Sequence, residues 1–249
     1  MYRPNDYDLF LFFMLICKKH NIPYIVPDTY DINYLEDLFA QWHCKKDYRE
    51  LKVPMYLKNN QAPTFAVPLV MRHRNCKCAE HEDKHMCMII YIRDEKTLYF
   101  YDPAHNKRNY DISKLLDEVI VKFSLLGHPV NSVKTTGTEC LQGAQECEIA
   151  LSKRRLGETI GFCSIWSIHF LDHFFTGSKI LKTKSLTLYI KDYLNGLLKS
   201  RRDFEHSLPK DIYQSFYLVK KRQMGEHLPE QNWSKIVWNM IQPFRKDSW

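Results

Sequence analysis

Residues 158 to 175, ETIGFCSIWSIHFLDHFF, constrain this chain more than any other stretch. From Cys163 onward, Ile165, Trp166, Ile168, Phe170, Leu171, Phe174 and Phe175 put apolar side chains on nearly every side of a helix, and such a helix is buried in the middle of its fold. Gly161 and Phe162 close the connection before it, so Cys163 stands at its first turn. A thiol there meets unsatisfied backbone amides and the positive end of the helix dipole, both of which favour the thiolate. Taken alone, a cysteine before a buried helix is more often a packing residue than a nucleophile. His169 and His173, inside the same helix, read as packing residues and not as a catalytic base.

What gives Cys163 a chemical context is a hairpin upstream. HMCMIIYI (85 to 92) and TLYFYDP (97 to 103) are rich in β-formers and flank the polar turn RDEK. If Ile92 pairs with Thr97 across that four-residue loop, Tyr91 faces Leu98 and Cys87 faces Asp102. His85 then lies on the same sheet face as Asp102, one diagonal step away, at a Cα separation of about 7 to 8 Å that side chains can span. A three-residue loop would reverse the parity and part them. A carboxylate behind an imidazole fixes its tautomer and stabilises its charged form, and a nearby thiol can then form a thiolate and imidazolium pair. His85, Asp102 and Cys163 are therefore the candidate base, orienting acid and nucleophile.

Other segments fill in the frame. Leu9 to Cys17 is a nine-residue apolar run, too short for a membrane span of about 20 residues, and reads as a buried helix capped by Asn5 or Asp6. DINYLEDLFAQWH (31 to 43) has Leu35, Leu38, Phe39 and Trp42 at helical spacing and predicts a second helix. TFAVPLVM (64 to 71) predicts a strand, with Pro68 placing it at an edge or a strand end. Residues 111 to 127 predict a helix stopped by Gly127 that covers one face of the sheet, and VNSVKTT (130 to 136) a further short strand. Residues 184 to 199, 209 to 222 and 231 to 241 carry helical periodicity, with Trp233, Ile236, Val237, Met240 and Ile241 as a stripe on the last.

RHRNCKCAEHEDKHMC (72 to 87) invites a metal reading through His73, Cys76, Cys78 and His81. Structural zinc sites usually space the first two thiols by about two to four residues and return with a second pair. Cys76 and Cys78 have one residue between them and no obvious distant partners, so a polar loop rich in His and Cys is the preferred reading. No cofactor is called for. Eight cysteines in 249 residues do not make a disulfide scaffold, and no secretory leader pattern opens the chain, which points to a reducing, intracellular setting. The net charge of +7 suits acidic surroundings without selecting any.

The ordered set HMCMIIYI, YFYDP, GAQECE and GFCSIWSIHF resembles the cysteine peptidases of the adenovirus-protease and SUMO-protease clan, especially the branch carried by large DNA viruses. The resemblance covers roughly residues 65 to 175. It implies His85 as base, Asp102 in Tyr-Asp-Pro as orienting acid, Gln145 in Gly-Ala-Gln as oxyanion donor and Cys163 as nucleophile. Gln142 is the substitute for Gln145, since both amides qualify chemically. The chain departs from the pattern with Met86 and Cys87 after the His, with Phe162 before the nucleophile, and with a longer interval from Gln145 to Cys163.

The expected fold class is α+β: a papain-like, circularly shifted cysteine-protease core whose mixed or antiparallel sheet packs on a central buried helix, with helical N- and C-terminal extensions. Residues 1–63 would form the N-terminal extension, 64–200 the catalytic core and 201–249 the C-terminal extension. The expected activity is a thiol-dependent peptidase or isopeptidase acting on a viral precursor or a ubiquitin-like conjugate, in host cytoplasm or virion. An acetyltransferase reusing the same triad is the alternative enzyme, and a zinc- or nucleic-acid-binding virion protein the non-enzymatic one. Basic spots at Arg201, Arg202 and Lys220 to Arg222 would carry weak nucleic-acid contact, and no membrane contact is expected.

Overall fold

The computed structural model describes residues 5–23, 32–45, 48–58, 60–73, 83–104, 112–135, 144, 162–177 and 186–245. Its centre is a six-stranded mixed sheet. In chain order the strands are β1 (Ala40–Lys45), β2 (Tyr48–Lys52), β3 (Thr64–His73), β4 (Asp83–Ile92), β5 (Thr97–Tyr101) and β6 (Ser132–Thr135), arranged β2-β1-β3-β4-β5-β6. The pairs β1/β3 and β5/β6 are parallel and the others antiparallel. Helices α1 (Asp6–Lys19), α2 (Ile112–Leu125), α3 (Cys163–Thr176), α4 (Leu186–Ser207), α5 (Lys210–Gln223) and α6 (Trp233–Ile241) cover it. This is the expected α+β layout of a mixed sheet on a central buried helix.

Alternation along β4 divides the core in two. Met86, Met88 and Ile90 pack with α1, α3, α4, α5 and α6, whereas Cys87, Ile89 and Tyr91 pack with Leu115, Val119 and Phe123 of α2. The helix α2 thus covers one face as expected. Gly127 at φ +87° follows it, and Trp42 Nε1 of β1 donates to Glu118 Oε2 at 3.2 Å. On the other face α1 starts with a capping box, Asn5 and Asp8 each accepting from the other's backbone N–H, and buries Phe10 through Met14.

Two expectations change. The helix over 31–43 is instead a short 3₁₀ turn, Leu35–Leu38, followed by β1. Leu35, Leu38 and Phe39 go to the α1–α3 side of the sheet and Trp42 to the α2 side, so residues that would share one helical face are divided between two cores. Residues 40–52 of the N-terminal region therefore contribute two strands to the sheet. The second change concerns β3, which lies inside the sheet, not at its edge. Its ladder with β1 begins only at Leu69, so Pro68, which has no N–H to give, stays just outside that ladder.

Of the basic spots, Arg201 is buried and paired with Asp8, and Arg222 stacks over the Trp233 ring at 4.1 Å. Both are used within the fold. Among the described residues no helix is long and apolar enough to cross a membrane.

Candidate active site

The hairpin has the register that its four-residue turn predicts: Ile92 faces Thr97, Tyr91 faces Leu98 and Met88 faces Tyr101. Lys96 N–H closes the turn onto Arg93 O at 3.0 Å, with Lys96 itself at φ +48°. The strand β5 ends at Tyr101, and Asp102-Pro103 leaves the ladder there. Continued one step, the register sets Asp102 opposite Cys87 and diagonal to His85. His85 Nε2 and Asp102 Oδ1 are joined by a hydrogen bond of 2.7 Å, and Ala104 N–H donates to the same oxygen at 2.8 Å. Both side chains are buried, His85 at 3% and Asp102 at 4% exposure, so this contact is barely screened by water.

Cys163 is the first residue of α3, after Phe162, whose side chain has nothing with which to cap the helix. One turn on, Ser167 Oγ donates to the Met86 carbonyl at 2.9 Å, and Phe170 stacks on Tyr101 with ring centroids 4.3 Å apart. These two contacts pin α3 to β4 beside His85 and to β5 beside Asp102. The half-buried Cys163 thiol is close enough to the His85 imidazole to favour its charged form.

The electrostatics follow from this arrangement. Burial opposes the charged imidazole, while the nearby Cys87, the Asp102 hydrogen bond and the nearby Cys163 favour it. The balance holds the His85 pKa well above its ordinary value. Burial first, and then the Asp102 charge, pushes the Cys87 thiol up to about 12. Cys87 is thus a neutral thiol at neutral pH and brings no charge to bear on His85 there, so the hydrogen bond to Asp102 is the contact that favours the imidazolium. The donor atoms of His85, Cys87 and Asp102 all lie within 4.8 Å of one another. Cys87 is the member that reading the sequence left without a role, although the register already set it opposite Asp102.

No family model and no curated protein matches the sequence. Solved structures with a similar backbone include the effector protein ChlaDUB of Chlamydia abortus, at 14% identity, with 80% of this chain and 93% of that one covered and a TM-score of 0.43. ChlaDub1 of Chlamydia trachomatis is similar at 11% identity, 84% and 94% coverage and a TM-score of 0.44. The Legionella pneumophila effector RavZ, solved in complex with human LC3B, is similar at 11% identity, 98% and 85% coverage and a TM-score of 0.38.

Gln142 and Gln145 lie outside the described residues, as do Cys76, Cys78 and His81. Ala144, between the two glutamines, is buried in the core that also holds Phe162 and Trp166. His73 ends β3, in register with Cys44 of β1 and Asp83 of β4.

The other histidines of α3 pack as expected. His169 is buried, with Nε2 at 2.7 Å from the Tyr189 hydroxyl, and its ring stacks with that of His173. Burial, then the neighbouring His173, pulls the His169 pKa down to about 4. The fold therefore requires neutral His169. Its contribution is complete above the unfolded value near 6.5 and is lost as pH falls from there towards 4, a cost of about 3 kcal/mol. Urea unfolding at pH 7 and at pH 4.5 is expected to show this acid loss in the wild type and a smaller one in His169→Gln.

Proposed function

We propose that this chain is a thiol-dependent peptidase or isopeptidase in which Cys163 is the nucleophile, His85 the acid and base, and Asp102 the group that orients and charges His85. The observation that carries this reading is that one buried imidazole is hydrogen-bonded to the Asp102 carboxylate at 2.7 Å and is close enough to the Cys163 thiol at the start of α3 for the two to interact. Nε2 is committed to Asp102, so Nδ1 is the nitrogen that exchanges a proton with the reacting groups.

In the resting site the proton sits on His85 and the charge on Cys163. The thiolate attacks the substrate carbonyl, and the resulting oxyanion is met by the backbone N–H of Cys163 and by an amide side chain from Gln145, or from Gln142 in its place. On collapse the C–N bond breaks and the imidazolium proton goes to the departing amine, leaving a thioester. Water then attacks the thioester carbonyl and gives one proton to neutral His85. The C–S bond breaks, the acid product leaves, and the thiolate and imidazolium pair is restored.

The resemblance of GFCSIWSIHF and YFYDP to the adenovirus-protease and SUMO-protease clan supports two substrates: a viral precursor cut after a small residue, or the C-terminus of a ubiquitin-like protein. Three substrates given in parallel separate the activities: a peptide library with small residues at the cut site, a ubiquitin-like protein carrying a fluorogenic C-terminal amide, and labelled acetyl-coenzyme A with an acceptor protein. Hydrolysis of either of the first two is the expected result. Acetyl transfer without hydrolysis would replace this reading with the acyltransferase.

A further inference from the structure

Cys87 is a fully buried thiol beside the candidate active site, and no step of the proposed hydrolysis uses it. The register of β4 and β5, continued one step, sets it opposite Asp102, and its sulfur lies within 4.8 Å of donor atoms of both Asp102 and His85. Side chains directly opposed across an antiparallel pair are near neighbours, with Cβ atoms about 4.5 to 5.5 Å apart. A polar group at position 87 therefore has the Asp102 carboxylate beside it. The thiol turns elsewhere: it donates at 3.9 Å to the thioether of Met71, the residue opposite His85 on β3. Met71 is buried too, in the core on the α2 side of the sheet.

We infer that Cys87 is a positioning residue for the proposed hydrolysis: a weak donor, turned onto Met71, that fills the place beside the His85–Asp102 pair without drawing on the carboxylate. Asp102 Oδ1 already accepts from His85 Nε2 at 2.7 Å and from Ala104 N–H at 2.8 Å. A further strong donor would share the carboxylate's charge and loosen its hold on the imidazolium, which would then lose its proton at lower pH. A thiol is a weak donor and is satisfied by a thioether, whereas a hydroxyl of nearly the same size prefers an ionised carboxylate. The titratable groups that bear on His85 are Asp102 from the end of β5, Cys87 on its own strand and Cys163 from α3. The consequence for rate rests on His85 being the acid and base; the consequence for the His85–Asp102 pair does not.

The test reads His85 directly, by NMR titration of the full chain carrying ¹⁵N-labelled histidine, with the His85 signals assigned from His85→Gln. Cys87→Ser is expected to lower the pH at which His85 loses its proton by roughly one unit, as a charge-assisted bond gains a competitor. Cys87→Ala removes the thiol and supplies no donor, so it is expected to leave that pH in place. Met71→Leu keeps the core volume and frees the thiol to turn to Asp102, so a smaller shift in the same direction is expected. That shift should vanish when Met71→Leu is combined with Cys87→Ala. In the kinetics, the basic limb of kcat/KM moves to lower pH with the titration in Cys87→Ser. It stays in place in Cys87→Ala, whatever the lost packing does to the plateau rate. An unmoved titration in folded Cys87→Ser overturns the inference, and so does a shift in Cys87→Ala as large as that in the serine variant. If Cys87→Ser does not fold, an unmoved titration in Met71→Leu overturns it instead. If the titrations shift as expected while Cys163→Ala still hydrolyses substrate, the catalytic reading fails and the effect of the thiol on the His85–Asp102 pair stands.

Discussion

His85→Ala is expected to lower kcat/KM about 10³-fold, within the usual range for a positioned acid and base and equivalent to about 4 kcal/mol of barrier. The loss comes from two places. Without the imidazole nothing in the described site draws the proton from Cys163, and nothing returns a proton to the leaving amine. The alanine also leaves the buried Asp102 carboxylate with Ala104 N–H and without its imidazole, which costs stability as well as rate. His85→Gln separates the two effects. Its side-chain amide can still donate to Asp102 but cannot carry the proton, so its melting temperature should lie closer to that of the wild type while its kcat/KM falls as far. Steady-state kinetics with whichever substrate is cleaved, beside a thermal melt of each variant, checks both halves. A His85→Gln enzyme with near wild-type kcat/KM would remove His85 from the chemistry.

The largest effect on stability is expected at Trp166, one turn after Cys163. Its side chain is 0% exposed, its ring meets the edge of His169 and stacks on Tyr189, and it lies in the core shared by α1, α3 and α4. Trp166→Ala removes most of a large ring from a site whose walls come from several elements and cannot all collapse inward. A loss of about 3 to 5 kcal/mol is expected, which for a chain of this size lowers the melting temperature by roughly 6 to 20 °C. That is a large part of an ordinary domain's stability of about 5 to 15 kcal/mol. Calorimetry or a thermal melt by circular dichroism reads it directly. A change of less than about 1 kcal/mol would show that α3 is not the centre of the fold.

Where local chemistry decides the structure, the sequence was easily read. The apolar run after Cys163 could only be a buried helix, and it is the helix on which the sheet packs. The RDEK turn fixed the parity of β4 and β5, and with it the meeting of His85 and Asp102 across 17 positions of chain. Gly127 ended α2 on time. Where a distant partner decides, the sequence misled. Residues 31–43 have sound helical spacing, yet β1 forms there because a parallel ladder with β3 offers backbone pairing that no local pattern announces. Pro68 suggested an edge or a strand end, and the strand is internal because β1 joins only after the proline. Arg201 read as a surface charge, but its partner, Asp8, lies 193 positions away on α1. In the candidate site, three residues on two strands and a helix could be assembled from parity and helix-end reasoning. The place of Cys87 in that cluster was visible only as a register position opposite Asp102, because it lies in being beside His85 and Asp102 and not in any motif of its own.

The central claim is that Cys163 is a nucleophile activated by His85. The most direct test is a probe made of a ubiquitin-like protein or a small-residue peptide ending in a thiol-reactive electrophile, with the labelled site mapped by mass spectrometry. The account predicts one adduct, on Cys163, absent from Cys163→Ala and strongly reduced in His85→Gln. Labelling that persists in Cys163→Ala, or that maps to another cysteine, would contradict it.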